Sequence, residues 1–290
     1  MQQLTYENIL GERVNFFHDP YIFAKVEGIG PTDPDIATIS GAYQPGETVR
    51  GLLRGARTVD VTIHIHGATR AQMYQLRQKL SGIMTAGKAF SEEAGCAKLY
   101  YENDNGRWWT YAVPESGPSD GARCANWLGS MSISFSCESA YWFSIAKDEA
   151  SFLYSGGGFS LPFAFPISFG SREYSLTVNN AGQVDAPVEV TISGAGETPS
   201  LYNATTGKRL KLTSALPSGS TLYINTDPAR LEARITNGEG ETSAFGLLDV
   251  SAPLSGFVLR PGMNQLVYEP GGASAQSNIT VAWYRRFEGV

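Results

Sequence analysis

His64 and His66 lie two apart in a run from Arg57 to His66 in which Val59, Val61, Ile63 and Ile65 alternate with Thr58, Asp60, Thr62, His64 and His66. A period of two is that of a half-buried strand, so both imidazoles and Asp60 project from one side. Two histidines at this spacing occur in zinc sites, and a third ligand would have to come from afar, with His18 as the available histidine. The competing reading is a polar stripe, facing solvent or a channel, opposite the apolar one. It needs no distant third ligand and is preferred.

Other motifs reduce in the same way. Gly117-Pro118-Ser119-Asp120-Gly121 matches the G-x-S-x-G string of serine hydrolases. That chemistry requires a strand before the serine, a helix after it and a histidine later in the chain. Here a strand-like run follows, and His18, His64 and His66 all precede it. A turn between strands fits better. Glu102-Asn103-Asp104-Asn105-Gly106 offers oxygen ligands, but it is too short for a calcium loop and lacks the closing bidentate acid. Its Asn-Gly pair is a hairpin signal instead. Gly156-Gly157-Gly158 has no following Lys-Ser/Thr and reads as a linker. Tyr268, Trp283 and Tyr284 could stack on sugar rings, yet aromatics at strand positions more often supply core area. No pair of carboxylates stands out for glycoside hydrolysis, whose geometry is spatial. Asn203-Ala-Thr205 and Asn278-Ile-Thr280 match the glycosylation sequon and are given no weight. Cys96, Cys124 and Cys137 are an odd set without C-x-x-C spacing, which reads as reduced thiols, with Cys137 a small core hydrophobe. The expectation is therefore no catalytic, cofactor-binding or metal residue, and no enzyme.

The elements that must position these residues are mostly strands. At 290 residues the chain is long enough for two domains, and a 42% hydrophobic fraction gives each a core. Gly 32 and Pro 15 supply the turns an all-β chain needs. Only 17% of residues are charged, which suits a chain that hides surface in contacts with other proteins. A net charge of −6 argues against nucleic-acid binding, which needs a basic face. The start, MQQLTYENILGERVNFF, lacks a basic segment followed by an apolar run, so no signal peptide is expected. No apolar run is long enough to span a bilayer, and no membrane association is expected.

Along the chain, residues 4–30 suggest one or two short strands around His18-Asp19-Pro20. Residues 31–55 look too long and polar for a tight hairpin and are read as an extended arm. After Gly67, Thr69 and Gln72 have capping-box spacing. Met73, Leu76, Leu80, Ile83 and Met84 then predict one amphipathic helix over 70–85, with Gly87 at its C-terminal cap. Strands resume at 97–101, 108–113 and 127–137, the last with Trp127, Met131, Ile133, Phe135 and Cys137 in phase. This order predicts a small β-barrel or curled sheet with a packed helix. The composition shift at 146–160 is read as the boundary between a domain of residues 1–149 and one of residues 150–290. Strands are predicted at 174–179, 186–193, 199–203, 208–212, 221–226, 230–236, 245–248, 254–259, 264–268 and 278–287. Such close spacing predicts a β-sandwich.

The second half resembles the siphophage distal tail protein family. The resemblance is carried by Asn179-Asn180-Ala181-Gly182 leading through Ala186-Pro187 into an alternating strand that ends at Gly194. Leu222-Tyr223-Ile224-Asn225-Thr226, Phe257-Val258-Leu259-Arg260-Pro261-Gly262-Met263-Asn264-Gln265-Leu266 and the terminal strand Ile279 to Phe287 carry it further. Asn225 stands where Asp is commoner in the family. In the first half, a strand, a helix and a strand ending near Tyr141-Trp142 are similar in outline. The resemblance implies a hexameric ring of N-terminal domains at the tail tip, bound to the tail tube protein and to tail-tip hub, fibre or receptor-binding proteins. It implies galectin-like C-terminal sandwiches that project outward and dock adhesion devices, and a location in the virion tail. An alternative is a carbohydrate-binding accessory module on a tail or cell surface, with a host glycan as partner. A sandwich-fold glycoside hydrolase is a third.

Overall fold

The computed structural model describes residues 2–123, 128–155, 175–249, 251, 253–271 and 276–290. These residues divide into one unit of residues 1–145 and 287–290 and a second of residues 146–286. The last four residues thus rejoin the first unit after the second is complete. The run Gly156 to Gly158, Cys124 and Trp127 lie outside the described residues.

In the first unit, β1 (Gln3–Glu7), β2 (Arg13–Asn15) and β3 (Tyr21–Glu27) precede a separate hairpin of β4 (Pro34–Ile39) and β5 (Thr48–Arg54). Then come β6 (Arg57–His66), α1 (Arg70–Ile83), α2 (Ala86–Ala89), β7 (Phe90–Ser91) and β8 (Gly95–Cys96). The series closes with β9 (Lys98–Asn103), β10 (Gly106–Arg123), β11 (Leu128–Cys137) and β12 (Trp142–Ser144). The main sheet runs β2-β1-β9-β10-β11-β6-β3, with β12 beside β10. Among the described residues its ends, β2 and β3, do not pair, so the sheet is open rather than a closed barrel. The bend is built into β10. Its first residues pair with β9, and from Ala112 onward it pairs with β11 through several register shifts. Such shifts let one strand turn between two sheet directions.

The curled sheet closes over the apolar side of β6 (Val59, Val61, Ile63, Ile65) and β11 (Met131, Ile133, Phe135, Cys137), with Leu4, Tyr6, Leu99 and Trp142. Helix α1 covers it with Met73, Leu80 and Ile83. The cap is as its residue types dictate: Thr69 Oγ1 accepts from the Gln72 N–H at 3.2 Å, and Gln72 Oε1 accepts from the Ala68 N–H at 2.8 Å. The helix ends at Ile83 with Met84 as its cap, and Gly87 falls inside the short α2 instead of ending α1. The predicted extended arm is corrected too. Residues 34–54 form an antiparallel hairpin, which the sequence conceals because neither face carries a one-sided apolar alternation.

The second unit begins with β13 (Asp148–Ser155), where the sequence suggested a boundary segment. Behind its charged start, Ala150, Phe152 and Tyr154 alternate toward the core. Next are β14 (Ser175–Asn180), β15 (Ala186–Pro187), β16 (Glu189–Gly194), β17 (Ser200–Asn203) and β18 (Lys208–Lys211). They are followed by β19 (Thr221–Asn225), β20 (Glu232–Asn237), β21 (Gly240–Ser243), β22 (Val258–Leu259), β23 (Gly262–Glu269) and β24 (Gln276–Trp283). Among the described residues these make a six-stranded sheet, β13-β24-β16-β19-β20-β21, and a four-stranded sheet, β14-β23-β17-β18. Their inner faces supply one core, with Val190, Ile192, Leu222, Ile224, Ile279 and Val281 from the first and Val178, Leu201, Leu210 and Leu266 from the second. This is a β-sandwich. The strand predicted at 245–248 is a 3-10 turn, Phe245–Leu247, and 254–259 opens as another, Leu254–Gly256, before β22.

Buried asparagines hold the sandwich loops. Asn180 is 1% exposed; its Nδ2 donates to the Val184 and Leu259 carbonyls, both at 3.0 Å, and its Oδ1 accepts from the Gly182 N–H at 2.9 Å. Asn264 Nδ2 donates to the Arg260 carbonyl at 2.7 Å and the Gly262 carbonyl at 3.0 Å, and its Oδ1 accepts from the Arg260 N–H at 3.0 Å. Each side chain stands in for a strand partner that the turning backbone lacks.

Candidate assembly surface

The hairpin β4–β5 is the one element of the first unit whose described side chains are nearly all solvent-facing. Ile36 and Leu52 are direct cross-strand partners, and Thr38 pairs with Val49 beyond a register shift. Directly paired residues share a face, so Ile36, Leu52 and Val49 form one apolar stripe. They are 48%, 56% and 57% exposed. Leu53 and Ile39 are exposed as well. Burying a side chain of this size is worth about 1.5–3 kcal/mol, and a two-stranded hairpin is marginal by itself in water. A stripe left open is the signature of a surface meant to be covered.

What holds the hairpin is its base. Arg54 donates to the Thr32 carbonyl and pairs with the Glu288 carboxylate at 3.0 Å. Arg57, 1% exposed, sits behind it. Its guanidinium donates to the carbonyls of Gly28, Gly30, Ala140 and Glu288 and lies 5.4 Å from the Trp142 ring. Trp142 Nε1 donates to the Ile29 carbonyl at 3.1 Å. Among the described residues no carboxylate pairs with this arginine; backbone carbonyl dipoles and an aromatic face surround it. Burial pulls its pKa down, and the nearby Cys137 acts the other way. Gly28 lies so close that a Cβ there would be 1.9 Å from the Thr58 carbonyl oxygen, and its φ is +83°. Glycine is required at that contact. Sequence reasoning passed over Arg57, although its phase with Val59 and Val61 places it on the inward face.

The residues singled out for chemistry do not converge. His64 faces the register positions of Ile22 and Ser130. His66 Nδ1 contacts Asp19 Oδ1 at 2.9 Å, and the His18 ring packs edge-on to Phe17. Among the described residues no group of three His, Cys, Asp or Glu side chains gathers as for a metal. Asp60 instead borders a shallow polar depression with Lys25, Glu27, Ser116, Ser132 and Ser134, where Lys25 Nζ is 2.5 Å from Glu27 Oε1. Gly117 to Gly121 is a correction: it lies within β10, where Ser119 pairs with Ser132, so it is an irregular strand and not a turn. Asn103 to Gly106 is the β9–β10 hairpin turn. Tyr268 is 1% and Trp283 4% exposed, so both are core; Tyr284 lies under Lys147 Nζ at 5.3 Å. Cys137 is buried, and burial pushes its thiol pKa up to about 12, with Arg57 opposing. Among the described residues no helix is long and apolar enough to cross a membrane.

Residues 181–287 match the family model described as siphovirus-type tail component, C-terminal domain. The resemblance read from the segments running to Gly194, from Leu222 to Thr226, from Phe257 to Leu266 and from Ile279 to Phe287 is borne out in that unit. The whole chain also resembles solved structures, among them the following. The SPP1 Dit protein, described as a paradigm of hub adsorption apparatus in phages infecting Gram-positive hosts, matches with a TM-score of 0.66 and 11% identity, over 98% of this chain and 99% of that one. A chain of the phage p2 baseplate in its activated conformation with Sr matches with a TM-score of 0.54 and 11% identity, over 100% of both. No curated protein matches the chain.

Proposed function

We propose that this chain is a structural, non-enzymatic component of a siphovirus-type tail tip, located in the virion tail. The observation that carries the reading is that one chain holds both parts of the SPP1 hub fold end to end, with the tail-component family match in its second unit. In this reading copies of the first unit form a closed ring of six beneath the tail tube protein. The sandwich, galectin-like in type, projects outward to dock tip, fibre or receptor-binding proteins. The function is geometric. A rotational ring joins two different faces of neighbouring copies, and the rotation must close. The exposed hairpin β4–β5, fixed at its base by Arg54 and Arg57, supports a contact that reaches onto the neighbour.

The test is genetic. A phage or prophage carrying a nonsense codon in this gene should make capsids and tubes but no finished tail tips, and supplying the chain in trans should restore them. Normal tips without the chain contradict the proposal.

A further inference from the structure

Resting on that ring reading, we infer that Tyr43, at the tip of the β4–β5 hairpin, anchors the hairpin on a second copy of this chain, against the basic face of that copy's helix α1. Tyr43 is fully exposed, at 104%. Its φ is +68°, a left-handed backbone that favours glycine and that no other described non-glycine residue adopts. The turn that carries it is nevertheless ordered. The Gln44 N–H donates to the Gly41 carbonyl at 3.0 Å, the Gly41 N–H donates to Gln44 Oε1 at 3.3 Å, and Gln44 Nε2 donates to Thr48 Oγ1 at 2.8 Å. The backbone that presents this large aromatic side chain is thus fixed, in a conformation the residue disfavours. Rigid tyrosines presented this way are the usual anchors of protein interfaces.

Charge selects the receiving surface. Asp33, Asp35 and Glu47 are exposed on and beside the hairpin, with Arg50 as the opposing exposed charge. Helix α1, RAQMYQLRQKLSGI, carries no acid, and Arg70, Tyr74 and Arg77, spaced i, i+4 and i+7, lie along one face. The Arg70 guanidinium lies 5.8 Å from the centre of the partly exposed Tyr74 ring. An acidic, apolar finger ending in a tyrosine therefore matches a basic helix face that offers an arginine and an aromatic ring. Both halves of the match belong to the first unit, as a head-to-tail contact between copies requires. Within one copy they do not meet, since Tyr43, Ile36 and Leu52 are all open.

The test uses the full chain with p-benzoylphenylalanine at position 43, mixed in equal parts with 15N-labelled chain and irradiated. Mass spectrometry should find adducts joining position 43 of one copy to residues 70–79 of another. The changes Asp35→Lys and Arg70→Glu should each cut their yield about tenfold, and the two together should restore it. Tyr43→Gly should remove self-association while leaving thermal stability equal or higher, because the left-handed strain is relieved. Adducts elsewhere, adducts within one copy, or none at the highest soluble concentration each overturn the inference. That failure is separable from failure of the tail reading: the adduct map reports on the contact whether or not the chain is found in virions.

Discussion

The Arg57 guanidinium donates to the Glu288 carbonyl at 2.5 Å, joining the start of β6 to a residue two from the end of the chain. The same guanidinium reaches Ala140 at 2.8 Å, before β12. The first unit is therefore completed only when residues 287–290 return to it.

Arg57→Leu removes the donors of four carbonyls inside the fold. It should destabilise the first unit by at least about 3 kcal/mol and leave the second unit's transition in place. Differential scanning calorimetry resolves the two. A loss of less than about 1 kcal/mol contradicts the role assigned to Arg57.

Deleting residues 287–290 should act on the same transition. The Phe287 ring stacks edge-on to Trp108 at 6.2 Å, and the Glu288 side chain holds Arg54. The truncated chain should melt earlier in its first unit and become sensitive to protease near residues 31–55. An unchanged digestion pattern argues against the tail as a clamp on the hairpin base.

Gly28→Ala combines a disfavoured φ with a backbone collision against Thr58. A cost of about 2–4 kcal/mol is expected, read from urea unfolding of the first unit.

In the sandwich, Asn180→Ala and Asn264→Ala should each cost about 1–3 kcal/mol, because each strands buried backbone groups. They should move only the second transition. Asparagine is required at both positions because the turns around residues 180–184 and 260–264 need two donors and an acceptor from one short side chain.

Alkaline stability has a defined sign. The Cys137 thiol titrates at about 12 in the folded chain, against about 8.5 when unfolded. Its protonated form is favoured by folding, so its contribution is complete below the unfolded value and is lost as pH rises from about 8.5 toward 12. Cys137→Val should flatten that slope in chemical denaturation series. At pH 8 the native thiol should resist iodoacetamide and react only after unfolding, as peptide mapping can follow.

The fold was legible where one face is buried. The alternation in β6 and β11, the Thr69–Gln72 cap and the sandwich turns all follow from residue types. It was illegible where that contrast is missing. The hairpin β4–β5 is open on both faces, so its apolar residues show no single phase. Lys147-Asp148-Glu149 hides the inward set Ala150, Phe152 and Tyr154 of β13. Phe245 to Leu248 is too short an apolar run to distinguish a strand from a 3-10 turn. The polar stripe of His64 and His66 could be read from the sequence. The inward phase of Arg57 could be read too, but its partners could not, because satisfying a buried guanidinium takes carbonyls from segments far apart in the chain.

Cryo-electron microscopy of purified tails tests the central claim most directly. A closed ring of copies of this chain at the end of the tail tube, with hairpin β4–β5 seated on the adjacent copy, is the predicted result. Finished tails with no density for this chain at the tip, or with single copies that make no contact with one another, contradict it.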